Sequence, residues 1–372
     1  MRRWLVVLLL TLLLPCCARA EGLDAGLDQA LGSVDVQALE AVSGQHGLRE
    51  VLLRLAHGEL VWDAGETLAL LRDMSLGELR QSFGRMMGLL APALLCGAAG
   101  MLSPKNGSVS LMTQNACFLV LAGMMAADMK VYLGEAQATV TRMSELMQTL
   151  FPMLLTLLAA VGATSGAALF KPAIAAASGT MTALVRSVSL NLAMGVAVVT
   201  LLDYLSPRRT LSRLAALLRT VSTWTLGVAF TVFIGVTAMQ GVTAAAADGI
   251  GIRAAKYAVD NFVPVVGGMF ADTMDTLVGC SMLIKNALGV TGLALLLSTA
   301  GLPLVRTLCA SAVYRLCAAL LQPVAPDRVS GMLHAFSDVL LLLFIIQLSV
   351  GAMFLLLTAQ MLAVGNVTVG LR

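Results

Sequence analysis

Residues 240–292 read QGVTAAAADGIGIRAAKYAVDNFVPVVGGMFADTMDTLVGCSMLIKNALGVTG. The stretch is apolar enough to cross a bilayer, yet it carries Asp248, Arg253, Lys256, Asp260, Asp272, Asp275 and Lys285. Pro264 and the Gly267-Gly268 pair lie in its middle. Each ionisable group costs about 2.5–3.5 kcal/mol at a bilayer centre on insertion scales, so such groups face a bundle interior or a water-filled cavity. The stretch therefore predicts membrane helices packed around a polar inside.

The whole chain has the matching composition. Apolar residues make up 58% of its 372 residues and charged residues 12%, against roughly 25% charge in ordinary globular domains. The mean hydropathy is +0.88. Because a crossing helix needs about 20 apolar residues, the apolar runs predict an all-α, polytopic integral membrane helix bundle of about six to eight spans.

Working outward, the N-terminus reads as a cleaved signal peptide over residues 1–20. Arg2-Arg3 precede the apolar run Trp4–Leu14, which is too short to span, and Ala18-Arg19-Ala20 fits the A-x-A cleavage pattern. Cys16 and Cys17 lack the small preceding residue of a lipidation site. Residues 21–82 form an acidic extracytoplasmic segment of helical character. Eleven carboxylates, from Glu21 to Glu78, face only Arg49, Arg54, Arg72 and Arg80. Ser75 and Glu78 fit a capping box that opens the helix leading into the membrane. The bundle occupies residues 83–372. Its cysteines, Cys96, Cys117, Cys280, Cys309 and Cys317, form no C-x-x-C pair and read as small buried hydrophobes.

Within the bundle, Phe83–Leu102 and Leu111–Ala127 read as spans joined by the turn Ser103–Ser108, and Gly134–Gln148 as a helix at a surface. Leu150–Phe170 is a span whose small-residue run 162–168 permits close helix approach. Ala173–Leu202 is long enough to cross but holds Arg186 near its middle, which leaves a crossing helix and a broken, re-entrant element both open. Ser206, followed by Pro207, reads as the cap of a basic amphipathic helix over 206–220. Arg208, Arg209, Arg213 and Arg219 share its polar face, and Leu211, Leu214, Leu217 and Leu218 the other. Such a helix lies on the anionic cytoplasmic leaflet. Val221–Ala246, Ala287–Val305 and Met332–Val364 complete the apolar runs, the last long enough for one tilted helix or a tight pair.

The sequence argues against several chemistries. It has no H-E-x-x-H, Walker A or G-x-G-x-x-G motif. Its three histidines, His46, His57 and His334, are far apart, and Ser165 in a small-residue run reads as packing rather than as a nucleophile paired with His334. No enzymatic activity, cofactor, metal site or nucleic-acid partner is expected. The central stretch carries the candidate pathway or assembly residues. Lys256 and Asp260 can pair at i, i+4, Arg253 lies on the same side, and Asp272 and Asp275 share a face. Lys285 completes the set. Pro264, Gly267 and Gly268 can interrupt the helix between these groups, as in transporters that expose backbone to a substrate or ion.

The segments SRLAALLRTVSTWTLGVAFTVFIGVTAMQG, DGIGIRAAKYAVDNFVPVVGG and DTMDTLVGCSMLIKNALGVTG, in that order between residues 212 and 292, resemble the stage III sporulation protein AE family. The five residues Thr243–Ala247 are less polar than is usual there. The resemblance implies a role in endospore formation, as a multi-pass protein of the mother-cell membrane around the forespore. It further implies a secretion-like channel complex with other membrane proteins of the same operon, a cytoplasmic ATPase and a forespore membrane protein. An independent secondary transporter, with Asp272 and Asp275 coupling ions, is the alternative reading.

Overall fold

The computed structural model describes residues 108–160, 176–206, 210–262 and 267–370, with scattered positions between 40 and 98. The side chains of residues 240–278 lie outside what is described. So do the signal peptide, almost all of the acidic segment and its capping box, and most of the Phe83–Leu102 span.

Among the described residues all regular structure is helical. Helix α1 spans Ser108–Ala160. A second helical stretch runs through a π-helical turn, Ala176–Met181, the short α2, Thr182–Leu184, and a second π-helical turn, Val185–Ser189, into α3, Leu190–Leu205. Helix α4 spans Ser212–Phe262, α5 Gly267–Leu321 and α6 Asp327–Gly370. Five stretches among them are long and apolar enough to cross a membrane: Asn115–Ala159, Gly179–Leu205, Ser212–Met239, Ser281–Leu321 and Asp327–Ala363. At 1.5 Å per residue the 53 residues of α1 reach roughly 80 Å, far beyond a hydrocarbon core of about 30 Å. The longer helices therefore continue past the membrane.

Three expectations change here. Leu111–Ala127, the surface helix Gly134–Gln148 and the start of the next span are one uninterrupted helix, α1. Its charges do not mark a surface segment, because Glu135 and Asp128 face α5, where Arg306 and the Tyr314 hydroxyl meet them. Met332–Val364 belongs to a single helix, α6, which excludes the tight pair. Residues 206–220 do not form a separate surface helix capped by Ser206. Ser206 ends α3 with extended backbone (φ −71°, ψ 140°), the conformation that a following proline imposes. The next helix starts at Ser212 and runs on through the apolar stretch after it. Buried Asp203 takes the expected capping role, accepting the Leu211 backbone N–H at 2.7 Å.

Packing follows from small residues and a methionine-rich interior. Helices α5 and α6 form an antiparallel hairpin in which Ser311 and Ser337 exchange hydroxyl-to-carbonyl bonds of 2.9 Å across buried backbone. Helix α1 runs antiparallel to α5, with Glu135 beside Arg306 near one end and Leu150 over Gly292 further along. A Cβ at Gly292 would lie 2.8 Å from Leu150 Cδ1, so only glycine lets the two helices approach this closely. Met125, Met143, Met147, Met332, Met353 and Met361 lie in the core, where unbranched side chains fill the irregular space between long helices.

Candidate functional site

Two polar regions stand out in an otherwise apolar bundle. In the first, α4, α5 and α6 meet. Arg219 donates to Asp338 Oδ2 at 3.0 Å and to the Asp338 backbone carbonyl at 2.8 Å, and Arg315 donates to Asp338 Oδ1 at 2.7 Å. One carboxylate thus ties three helices. Next to it Arg306 donates to Glu135 Oε1 at 2.6 Å, Tyr314 donates to Asp128, and Arg328 donates to the Ser206 carbonyl at 2.8 Å. Tyr314 also packs against Phe336 with ring centroids 4.6 Å apart. Every element of the described bundle is tied into this layer by a named polar contact.

The second region lies toward the far end of the α5–α6 hairpin. Lys285 is buried, 1% exposed, and its Nζ donates to the Leu362 carbonyl at 3.0 Å. One turn on, Leu362 covers Gly289 so closely that a Cβ there would overlap its side chain. The Lys285 ammonium has three donors and this one acceptor among the described residues. Nearby on the same two helices, Asn286 Oδ1, Thr291 Oγ1 and Gln360 Oε1 are buried without a hydrogen-bond partner. Gln347, deeper in α6 and fully buried, bonds through neither its Nε2 nor its Oε1. Buried polar side-chain atoms in folded proteins are mostly partnered, so this seam carries unused hydrogen-bonding capacity.

The residues named from sequence divide between these regions and the undescribed part. Lys285 lies in the second region. Arg219 lies in the first, bound to Asp338 rather than arrayed on a free basic face, and Arg213 is exposed in the first turn of α4. The backbones of Arg253, Lys256 and Asp260 lie in α4, and those of Asp272 and Asp275 in α5, but their side chains lie outside the described residues. Helix α4 ends at Phe262 and α5 opens with Gly267 and Gly268. Pro264 lies between them, and, like Arg208 and Arg209, outside the described residues. Sequence reasoning did not single out Asp338, Glu135, Arg306, Arg315 or Gln347 as a set. The available signal was that Arg306, Arg315 and Asp338 each stand at the edge of a long uncharged run. Among the described residues no three of His, Cys, Asp and Glu are grouped to hold a metal ion.

The two regions can do different things. The Asp338 layer is electrostatically closed and sets helix positions. The Lys285 seam offers a cation and amide groups inside a membrane-embedded hairpin, an arrangement that can bind an anionic or hydrogen-bonding group and has no nucleophile–base pair for covalent chemistry.

Comparison with known proteins identifies the chain's relatives. Residues 47–365 match the family described as Stage III sporulation protein AE (spore_III_AE). The stage III sporulation protein AE of Bacillus subtilis (strain 168) is 31% identical over 268 residues, which cover 72% of this chain and 67% of that protein. No solved structure matches. The matched residues include all five helices capable of crossing a membrane, and the chain belongs to the stage III sporulation protein AE family.

Proposed function

We propose that this protein is a non-enzymatic membrane component of a mother cell–forespore channel, a secretion-like complex required for endospore formation. Its part is to form or brace the membrane passage. The family match carries the reading, since it spans the whole helix bundle and not one motif within it. The Lys285 seam supports it physically: a bundle with unused polar capacity buried between membrane helices is suited to assembly or to lining a passage. In this reading the partners are other membrane proteins of the same sporulation operon, a cytoplasmic ATPase and a forespore membrane protein. The location is the mother-cell membrane around the forespore, and Arg253, Lys256, Asp260, Asp272, Asp275 and Lys285 are the residues facing the passage or the partners.

Mild detergent extraction from sporulating cells, followed by affinity purification of the tagged full chain, tests this. The expected result is co-purification with several membrane proteins and an ATPase, and no transport by the isolated chain in vesicles. A chain that purifies alone and drives ion-coupled uptake, abolished by Asp272→Asn, would establish the independent transporter instead.

A further inference from the structure

Arg186 lies in the second π-helical turn, Val185–Ser189, inside the apolar stretch Gly179–Leu205. Its side chain is exposed and makes no hydrogen bond or ion pair among the described residues. Its depth follows from the neighbouring helices. Gly195 of α3 lies against Leu218 of α4, with a Cβ there 3.6 Å from Leu218 Cδ1. Leu218 adjoins Arg219, so Gly195 is level with the Asp338 layer. From that layer α6 runs through residues 339–364 without an ionisable group, which marks the start of the membrane-embedded band. Helix α3 enters this band toward lower residue numbers, as the bond from Ser222 Oγ to the Ser189 carbonyl shows. Arg186 is nine residues past Gly195, roughly 13 Å into the band at 1.5 Å per residue.

A guanidinium on the outside of a bundle at that depth opposes the rule that intramembrane charges face inward or are paired. Its surroundings are polar as well. Thr180, Ser187 and Asn191 are exposed on the same side of the helix. Asn191 Nδ2 donates to the Ser187 carbonyl at 2.8 Å, and its Oδ1 has no partner among the described residues. Further along, the exposed residues become Met194, Val198 and Leu202, which suit lipid. Widened π-helical turns are rare and concentrate at functional sites, and here one carries Arg186 and Ser187.

We propose that the outer face of residues 180–191 docks a transmembrane helix of a different polypeptide, one carboxylate of which pairs with Arg186. A second copy of this chain fits poorly, because a two-fold contact through this face would set Arg186 against Arg186. The proposal requires that residues 179–205 cross the membrane and is independent of the channel reading above.

The test is site-specific photo-crosslinking from a benzophenone side chain at position 191 of the full-length protein, in membranes of sporulating cells. The expected adduct is with another membrane polypeptide. Arg186→Glu should reduce its yield about tenfold, the equivalent of 1.4 kcal/mol, and lysine in place of one carboxylate in the crosslinked partner helix should restore it. Immunoblotting monitors the level of the chain; if the Glu variant does not accumulate, Arg186→Gln is read in the same way. Adducts only with lipid, adducts only with a second copy, no adduct, or an unchanged yield in the Arg186 variants would each overturn the proposal.

Discussion

At the Asp338 layer each carboxylate oxygen has its own guanidinium, and the neighbouring Glu135 holds Arg306. At the Lys285 seam one ammonium donates to one backbone carbonyl, while Gln347 bonds to nothing within the described chain. The two regions share helices α5 and α6, so the difference does not come from the scaffold. Where a bundle needs its polar groups only for geometry, opposite charges close on one another and fix helix positions. Where polar capacity is left over in a low-dielectric interior, keeping it is costly, and a role outside the fold explains its presence. Arg186, unpaired on the bundle's outer face, belongs with the second kind.

Substitution can break or sharpen this contrast. The largest effect is expected at Gly289, where any side chain collides with Leu362, the residue that accepts from Lys285. Gly289→Val should cost about 2–3 kcal/mol through overpacking, lowering the unfolding midpoint in detergent and the steady-state level. Gly227→Val, with nothing within 4 Å of its Cβ, should leave both unchanged and serves as the control.

Next in size is Lys285. Lys285→Ala removes the donor and leaves a cavity, at about 2–4 kcal/mol. Lys285→Met keeps the volume without the charge and should be neutral or slightly stabilising, since apolar replacements of buried ions often are. The seam reading expects the methionine variant to fold and accumulate normally but to lose sporulation in a heat-resistance count. Normal sporulation by that variant would reduce Lys285 to a staple between α5 and α6.

Asp338 should show the reverse pattern. Asp338→Asn leaves Arg219 and Arg315 without their carboxylate, but both are more than a third exposed, so the loss should be about 1 kcal/mol and smaller at high salt. Thermal melts at two ionic strengths would check this, with sporulation retained. The smallest effect is expected at Arg213, exposed and without an ion pair among the described residues, where Arg213→Gln should stay within about 0.5 kcal/mol of the parent.

The class of fold was legible in the sequence because hydrocarbon imposes simple rules of length and polarity on a crossing helix, and runs such as 339–364 satisfy them unaided. Helix boundaries were less legible. The charges of α1 looked like a surface segment, because nothing in residues 128–145 states that α5 brings Arg306 and Tyr314 alongside. Similarly, Ser206-Pro207 has the composition of a helix start, but Asp203, on the far side of the turn, holds the Leu211 amide and delays the helix to Ser212. Lys285 could be nominated from its charge alone. The Asp338 triad could not, since its members are separated by up to 119 positions and only tertiary packing brings them together.

The central claim, a membrane role in sporulation through a complex, is tested most directly by deleting the gene in its host and scoring forespores by microscopy together with a late forespore reporter. The account predicts development arrested after engulfment with the reporter silent, and recovery on complementation with the wild-type chain but not with Lys285→Met. Normal spores with an active reporter in the deletion strain would contradict it.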